Sequence, residues 1–457
     1  MSKPGAIPPA AADFLAAHPE LEFIEVFLAD LNGVLRGKRL RAGSAKKLFA
    51  PGMRLPRSVV GVDIWGGDVL DNGLVHDSGD SDGLCAAVPP GLQPVPWARR
   101  PTAQLLTMMR ESDGSEFDAD ARSLALRLQR ELGRRGLSAT VAFELEFYLL
   151  ASRSDPLGRP LPPPLRGKAR RDTESHMYAI EELASREAFL DDLYAACERQ
   201  GLPLGGAVSE AGPSQFEINL EHVDDAVRAA DYALLLRRAV GGVARRHGLL
   251  ATFMAKPFTE LAGNGMHVHF SLQDERGRNV FDDGSEQGSD ALRCAIGGLL
   301  ASAPEAMLIF APQLNSQRRF RADSHAPTRA AWGYDNRTVA IRVPSGEPPA
   351  RRFEHRIAGA DANPYLVLAA ITAGLLHGLE GGLRPPAPVS GNAYRSEAPE
   401  LPADWDDMLV RFSEGKIIVP AFGERLVKVF SACKRQEMRM FAERISDIEY
   451  AAYLRAF

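Results

Sequence analysis

The sequence predicts a mixed α+β protein, with a β-rich N-terminal unit followed by a larger part in which strands and helices alternate. Three observations predict it. The first hundred or so residues hold short apolar runs separated by turn residues. A proline-dense stretch, Val88 to Gln104, then ends that pattern, and beyond it two-residue strand periodicity alternates with helical periodicity. A chain of 457 residues, 45% hydrophobic and 25% charged, is long enough for two or three domains and a sizeable core.

Taken in order, LEFIEVFLADLNGVLRGKRL sets Asn32 and Gly33 between two apolar-rich runs, a hairpin signal because both residue types tolerate positive φ. The proline-dense stretch places a boundary near residue 103, dividing the chain into 1–103 and 104–457. DADARSLALRLQRELGRRG carries Leu124, Leu128 and Leu132 at helical spacing, with Asp118 or Asp120 as cap and Gly136 as stop. Residues 152–173, rich in Pro and Arg, and 384–402, rich in Pro, read as irregular surface segments.

Four segments of the second part alternate strictly. In VAFELEFYLL, Phe143, Leu145 and Phe147 share one strand face while Glu144, Glu146 and Tyr148 share the other. SQFEINL sets Gln215, Glu217 and Asn219 opposite Phe216, Ile218 and Leu220, with Glu210 just upstream. GMHVHFSL sets His267, His269 and Ser271 opposite Met266, Val268 and Phe270, and RFEHRI sets Glu354 and Arg356 opposite Phe353 and His355. One such strand is what any sheet with a solvated face shows. Together, however, the polar faces and their neighbours carry five carboxylates and two histidines. Like charges two residues apart repel unless a cation lies between them. A donor set of mostly carboxylate oxygen with some imidazole suits Mg²⁺ or Mn²⁺ better than zinc. Mg²⁺ commonly accompanies phosphates, and a downstream cluster with Arg318, Arg319, Arg321, Arg329, Arg337 and Arg342 offers the planar guanidinium groups that hold them.

Other classes are disfavoured. A net charge of −5 gives no basic field for nucleic acid or an anionic membrane. Four scattered cysteines without a C-x-x-C pair fit reduced thiols, and no apolar run of spanning or signal-peptide length is evident, so a cytoplasmic protein is expected. GVLRGKRL is too short between its glycines for a P-loop and lacks Ser or Thr after Lys38. GDSDG at 79–83 lies in an Asp-rich turn rather than a strand-to-helix elbow.

FELEF at 143–147, SEAGPSQFE at 209–217, GNGMHVHFS at 263–271, NR at 336–337 with IRVP at 341–344, and FEHR at 353–356 occur in the order and rough spacing of the glutamine synthetase family, which the chain resembles from about residue 20 onward. The resemblance implies a small β-grasp-like N-terminal domain and a large α+β catalytic domain with a curved antiparallel sheet flanked by helices. It also implies a homo-oligomeric ring, hexamer or dodecamer, with sites between neighbours. By the same resemblance, Glu146, Glu210 and Glu217 match the ligands of one divalent ion, and Glu144, His267 and Glu354 those of a second. His269, Ser271, Arg342 and Arg352 match positions around ATP; Gly263, Arg319, Arg337 and Arg356 match positions around glutamate and the transferred phosphoryl group. Arg337, Glu217 and His325 fall where the chemistry takes place.

Two departures bear on the substrate. The N-terminal segment SVVGVDIWGGD, 58–68, has Val59, Val60 and Val62 where the family motif would supply an acidic contact for ammonium. On the flap, Ser324-His325-Ala326-Pro327 replaces a pattern whose Glu deprotonates it. Loss of negative charge weakens a site for a small cation and admits a larger amine. The sequence therefore resembles the glutamate–amine ligase branch, the γ-glutamylpolyamine synthetases, in which ATP activates the γ-carboxyl of glutamate and a primary amine attacks the acyl phosphate. The acceptor could be a polyamine held by Asp63 or Asp68, or an apolar monoamine against Val60, Val62 and Trp65. The alternatives are an ammonia-using glutamine synthetase and a non-catalytic member of the family.

Overall fold

A computed structural model describes residues 7–165 and 170–457. After α1 (Pro9–Ala17), the hairpin expected around Asn32-Gly33 forms between β1 (Phe23–Ala29) and β2 (Leu35–Arg41). Only Gly33 takes a positive φ, +75°. Asn32 serves differently: its buried side chain donates to Glu437 Oε1 at 3.0 Å. With β3 (Met53–Pro56), β4 (Asp82–Pro94) and β5 (Thr102–Arg110), these strands form a five-stranded sheet in the order β2-β1-β5-β4-β3, with β1 and β5 parallel. Strand β5 thus extends this sheet across the boundary expected near residue 103. The GVLRGKRL segment is the β2 arm. Its Gly37 fits because a Cβ there would lie 1.9 Å from Val26 O.

Helix α2 (Ala121–Gly133) starts where expected, and Asp120 rather than Asp118 is its cap, accepting from Ser123 N at 2.8 Å. The long strand β6 (Leu137–Ala151) follows, then α3 (Ile180–Ser185), α4 (Glu187–Gln200), β7 (Leu204–Ser209), β8 (Gln215–Leu220), α5 (Ala226–Arg246), β9 (Leu249–Thr252) and β10 (Met266–Asp274). After α6 (Asp290–Phe310) come the short strands β11 (Trp332–Tyr334), β12 (Ile341–Val343) and β13 (Phe353–His355). The second sheet runs β11-β12-β13-β10-β6-β8-β7, with β9 paired to β6; most of its pairs are antiparallel. Its apolar face, including Phe143, Leu145, Phe147, Val268, Phe270 and Phe353, is fully buried.

Helices cover that face. Helix α6 packs against α7 (Pro364–Gly381) so closely that a Cβ at Gly298 would lie 2.1 Å from Gly374 O. Both helices are long and apolar enough to cross a membrane, but 72% and 78% of their most apolar windows are buried within the body. They are core helices. The chain ends with α8 (Trp405–Ser413), α9 (Ile418–Phe422), α10 (Glu424–Ala442) and α11 (Asp447–Tyr453). Helix α10 returns to the N-terminal sheet. Its Lys434 and Glu437, both fully buried, form an ion pair at 2.8 Å, and Glu437 Oε1 accepts from Asn32 Nδ2 and from the Ile64 backbone N–H.

Candidate active site

Strand register builds the site. Glu144 stands opposite His267 across the β6–β10 pair, Glu146 opposite Glu217 across β6–β8, and His269 opposite Glu354 across β10–β13. The alternating polar side chains of four strands therefore converge on one face while their apolar neighbours fill the core. Glu210 joins them from the turn after β7; Gly212 is required in that turn because a Cβ would lie 2.0 Å from Tyr148 Oη.

The carboxylates form two groups. Glu146, Glu210 and Glu217 each offer an oxygen within 4.8 Å of the others' oxygens. Burial and then the Glu146 charge push Glu210 up to about 7. Burial and then the charges of Glu144, Glu146 and Glu210 push Glu217 up to about 9. Three converging carboxylates, of which Glu210 and Glu217 resist ionisation, are the donor set a hard divalent cation satisfies, so the residues fit the ion implied by the sequence. On the other side, His267 Nδ1 lies 3.3 Å from Glu144 Oε2 and 3.6 Å from Glu354 Oε1. Burial opposes the charge on Glu144, but hydrogen bonds to His267 and His269 outweigh it and hold the carboxyl well below its ordinary range. Burial likewise opposes ionisation of Glu354; the adjacent Arg356 overrides it, bringing the carboxyl down to about 2. This second group is an ionised pair around an imidazole.

His269 also connects the metal-type cluster to the arginines. Arg352 Nε donates to His269 Nδ1 at 3.1 Å, while His269 Nε2 lies 2.8 Å from Glu144 Oε1. Donation into Nδ1 requires its lone pair, so the ring proton resides on Nε2 and points at the carboxylate. Arg342 bridges Glu354 at 2.9 Å and Asp335 at 2.6 Å. Arg319, buried, donates to Ile357 O at 2.8 Å and sits against Gly263; a Cβ at that glycine would lie 2.7 Å from Arg319 Cγ and 2.5 Å from Ala255 O.

These groups line a cavity of about 420 Å³. It brings together Glu144, Glu146, Glu210, Glu217, Gly263, His267, His269, Arg319, His325, Arg337, Arg342, Arg352 and Arg356. Glu354 lies beneath it, 1% exposed, within the hydrogen-bonded cluster. Ser271 does not line this cavity; it faces an adjoining one of about 760 Å³ with Thr140, His222, Gln273 and Asn279, joined to the first by Arg352. Arg337 is exposed in the cavity and makes no ion pair among the described residues, whereas Arg329 is engaged by Glu400.

Several lining residues escaped the sequence reading, three of them polarisable or aromatic. Met177 and Tyr178, beside Glu210 and Ala211, follow the irregular stretch 152–173 and carry no periodic signal. His222, whose ring centroid is 5.8 Å from that of His269, lies just past the end of β8. The alternation of that strand does not extend to it. Conversely, Asp63, one of the two carboxylates considered for holding a polyamine, is 2% exposed; its Oδ1 accepts from Trp65 N at 3.0 Å and Gly67 N at 2.8 Å, and its Oδ2 from Gln436 Nε2 at 2.8 Å. Asp68 and Trp65 are exposed.

Paired carboxylates, imidazole and convergent arginines around one cavity form a site suited to handling phosphoryl groups with divalent cations. Residues 118–453 match the family model for the glutamine synthetase catalytic domain, and the chain belongs to the glutamine synthetase family. It is 42% identical to the γ-glutamylputrescine synthetase PuuA of Escherichia coli (strain K12), over 95% of this chain and 92% of that protein. It is 32% identical to the glutamate–isopropylamine ligase of a Pseudomonas species, over 97% and 96% of the two chains. Among solved structures, a GmaS/ADP complex superposes with a TM-score of 0.81 at 26% identity, covering 96% of this chain and 98% of that one.

Proposed function

We propose that this protein is an ATP-dependent carbon–nitrogen ligase that joins the γ-carboxyl of glutamate to a primary amine through γ-glutamyl phosphate. The observation that carries the reading is the convergence of Glu144, Glu146, Glu210, Glu217, His267 and Glu354 beside Arg319, Arg337, Arg342 and Arg356 at one cavity. The 42%-identical relative and the isopropylamine ligase both carry names of γ-glutamyl amide formation, which supports it.

Arg319 and Arg356 hold the glutamate carboxylate at the Gly263 end. Arg337, uncommitted to any ion pair among the described residues, meets the phosphoryl group as negative charge accumulates. Arg342 and Arg352 face the nucleotide side, and Ser271 with the adjoining cavity takes the rest of ATP. Mg²⁺ or Mn²⁺ bound by the two carboxylate groups would neutralise phosphate charge. An amine meets Met177, Tyr178 and Ala326 near His325 rather than an acidic flap. That lining favours an amine larger than ammonia, and among such amines we favour a polyamine such as putrescine. With this reading go a cytoplasmic location, a homo-oligomeric ring, and a division between a β-grasp-like N-terminal unit and the catalytic domain. Phosphate release with ATP, glutamate and Mn²⁺ should be fast with putrescine or a small alkylamine and slow with millimolar ammonium; equal rates with ammonium would reject the amine assignment.

A further inference from the structure

The Pro-rich segment after α7 is more than a surface excursion. Asn336 Nδ2 donates to Val389 O at 3.0 Å and Gly391 O at 2.8 Å, and the Ala393 N–H donates to Thr338 Oγ1 at 3.0 Å. These bonds grip both sides of Arg337. One residue beyond Ala393, Tyr394 Oη donates to Ala326 O at 3.1 Å, while Arg329 donates to Tyr394 O at 3.1 Å and Ala398 O at 2.7 Å. Asn392 aims the tyrosine, its side chain accepting from the Tyr394 N–H at 2.9 Å. The segment 389–398 thus ties the turn carrying Arg337 to the flap carrying His325.

That flap needs restraint. Asp323 and His325 have φ of +59° and +58°, which residues bearing a Cβ adopt at a cost. Inside the flap, Ser324 Oγ donates to Arg321 O at 2.7 Å, a bond within the loop, and lies 3.1 Å from Arg319 O at the loop's base. Among the described residues, Tyr394 is the one outside 319–327 that hydrogen-bonds to residues 323–327. We infer that residues 389–398 form a strap and that Tyr394 is a positioning residue: acting through Ala326, it keeps the His325 flap closed over the acyl phosphate until the amine reacts. The inference rests on the ligase reading for its chemistry. In the productive step the amine nitrogen attacks the γ-carbonyl carbon, the carbon–oxygen bond to phosphate breaks, and the nitrogen loses one proton, giving amide and phosphate. With the flap loosened, water attacks the same carbon, the same bond breaks, and the two water protons go to the departing phosphate and to solvent, giving glutamate and phosphate.

Tyr394→Phe keeps the ring and removes the donor, and Asn392→Ala unaims it. With ATP, glutamate, Mn²⁺ and putrescine, wild type should release about one phosphate per amide, since water is excluded while the flap is shut. Both variants should raise the excess of phosphate over amide by about threefold to tenfold, the range spanned by one hydrogen bond. Hydrogen exchange measured on the same proteins without substrates should speed up by a similar factor at residues 321–329 and stay unchanged across Met266–Asp274. A wild-type ratio together with wild-type exchange in Tyr394→Phe overturns the strap. So does a parallel fall of phosphate and amide without faster exchange. If wild type forms no amide, the ligase reading fails by itself, and the exchange comparison still decides whether Tyr394 restrains the flap.

Discussion

Protons and divalent cations should compete directly for the Glu146–Glu210–Glu217 cluster. With Glu217 pushed up to about 9 and Glu210 to about 7, the metal-free protein holds a proton on Glu217 at pH 7.5. Its removal there costs roughly 2 kcal/mol, at about 1.4 kcal/mol per pH unit. The affinity for Mn²⁺ should therefore climb by about tenfold per pH unit between pH 7 and 9, then level off, and should fall more steeply below 7 as Glu210 also protonates. The sign for stability is opposite. Both carboxyls lie above their ordinary value of 4.5, so the folded state binds more protons than the unfolded state between pH 4.5 and 9. From these two groups metal-free protein loses stability as pH rises through that window, opposed up to about 6.5 by His222 and His355, which burial lowers to about 4 and about 3. Titration calorimetry with Mn²⁺ at pH 8, in two buffers of different ionisation enthalpy, should reveal release of about one proton. Thermal unfolding from pH 7 to 8.5, above the histidine range, should show the midpoint falling with pH without metal and holding with it. An affinity flat across pH 6.5 to 8.5, with heats independent of buffer, would refute the shared-carboxylate geometry.

Other perturbations have equally definite outcomes. Gly263→Ala places a methyl against the Ala255 carbonyl and Arg319; glutamate KM should rise at least about tenfold with an overpacking cost of about 1–3 kcal/mol, whereas an unchanged KM would separate Arg319 from glutamate. Glu437→Ala leaves Lys434 buried without its counter-charge and should lower the unfolding free energy in urea by about 3–5 kcal/mol. His325→Glu restores negative charge to the flap and should raise the ratio of kcat/KM for ammonium over putrescine by about tenfold, measured by phosphate release; a constant ratio would remove the flap from amine choice.

Strand chemistry was readable because alternation needs only local spacing: Glu144, Glu146, Glu217, His267 and Glu354 lie on the faces that their neighbours' hydrophobicity dictates. Which of them stand opposite one another depends on register, a long-range property that pattern alone leaves open. Residues in irregular chain were harder to place. Met177 and Tyr178 enter the cavity from a non-periodic stretch, and Tyr394 does its work through one long-range hydrogen bond. Asn32 was expected for its turn conformation, yet its role is set by a helix some four hundred residues away. Asp63 looked like a free carboxylate because nothing local announces that one of its oxygens caps the next turn while the other accepts from Gln436 on α10.

The ion pair on α10 has a consequence for how the chain is made. Asn32 and the Ile64 amide gain their buried carboxylate only after residue 437 has emerged from the ribosome. The opening sheet is therefore synthesised first but completes its packing last. A fragment ending near residue 103 would lack that carboxylate, and a chain clipped within α10 would lose the tie between its two extremities.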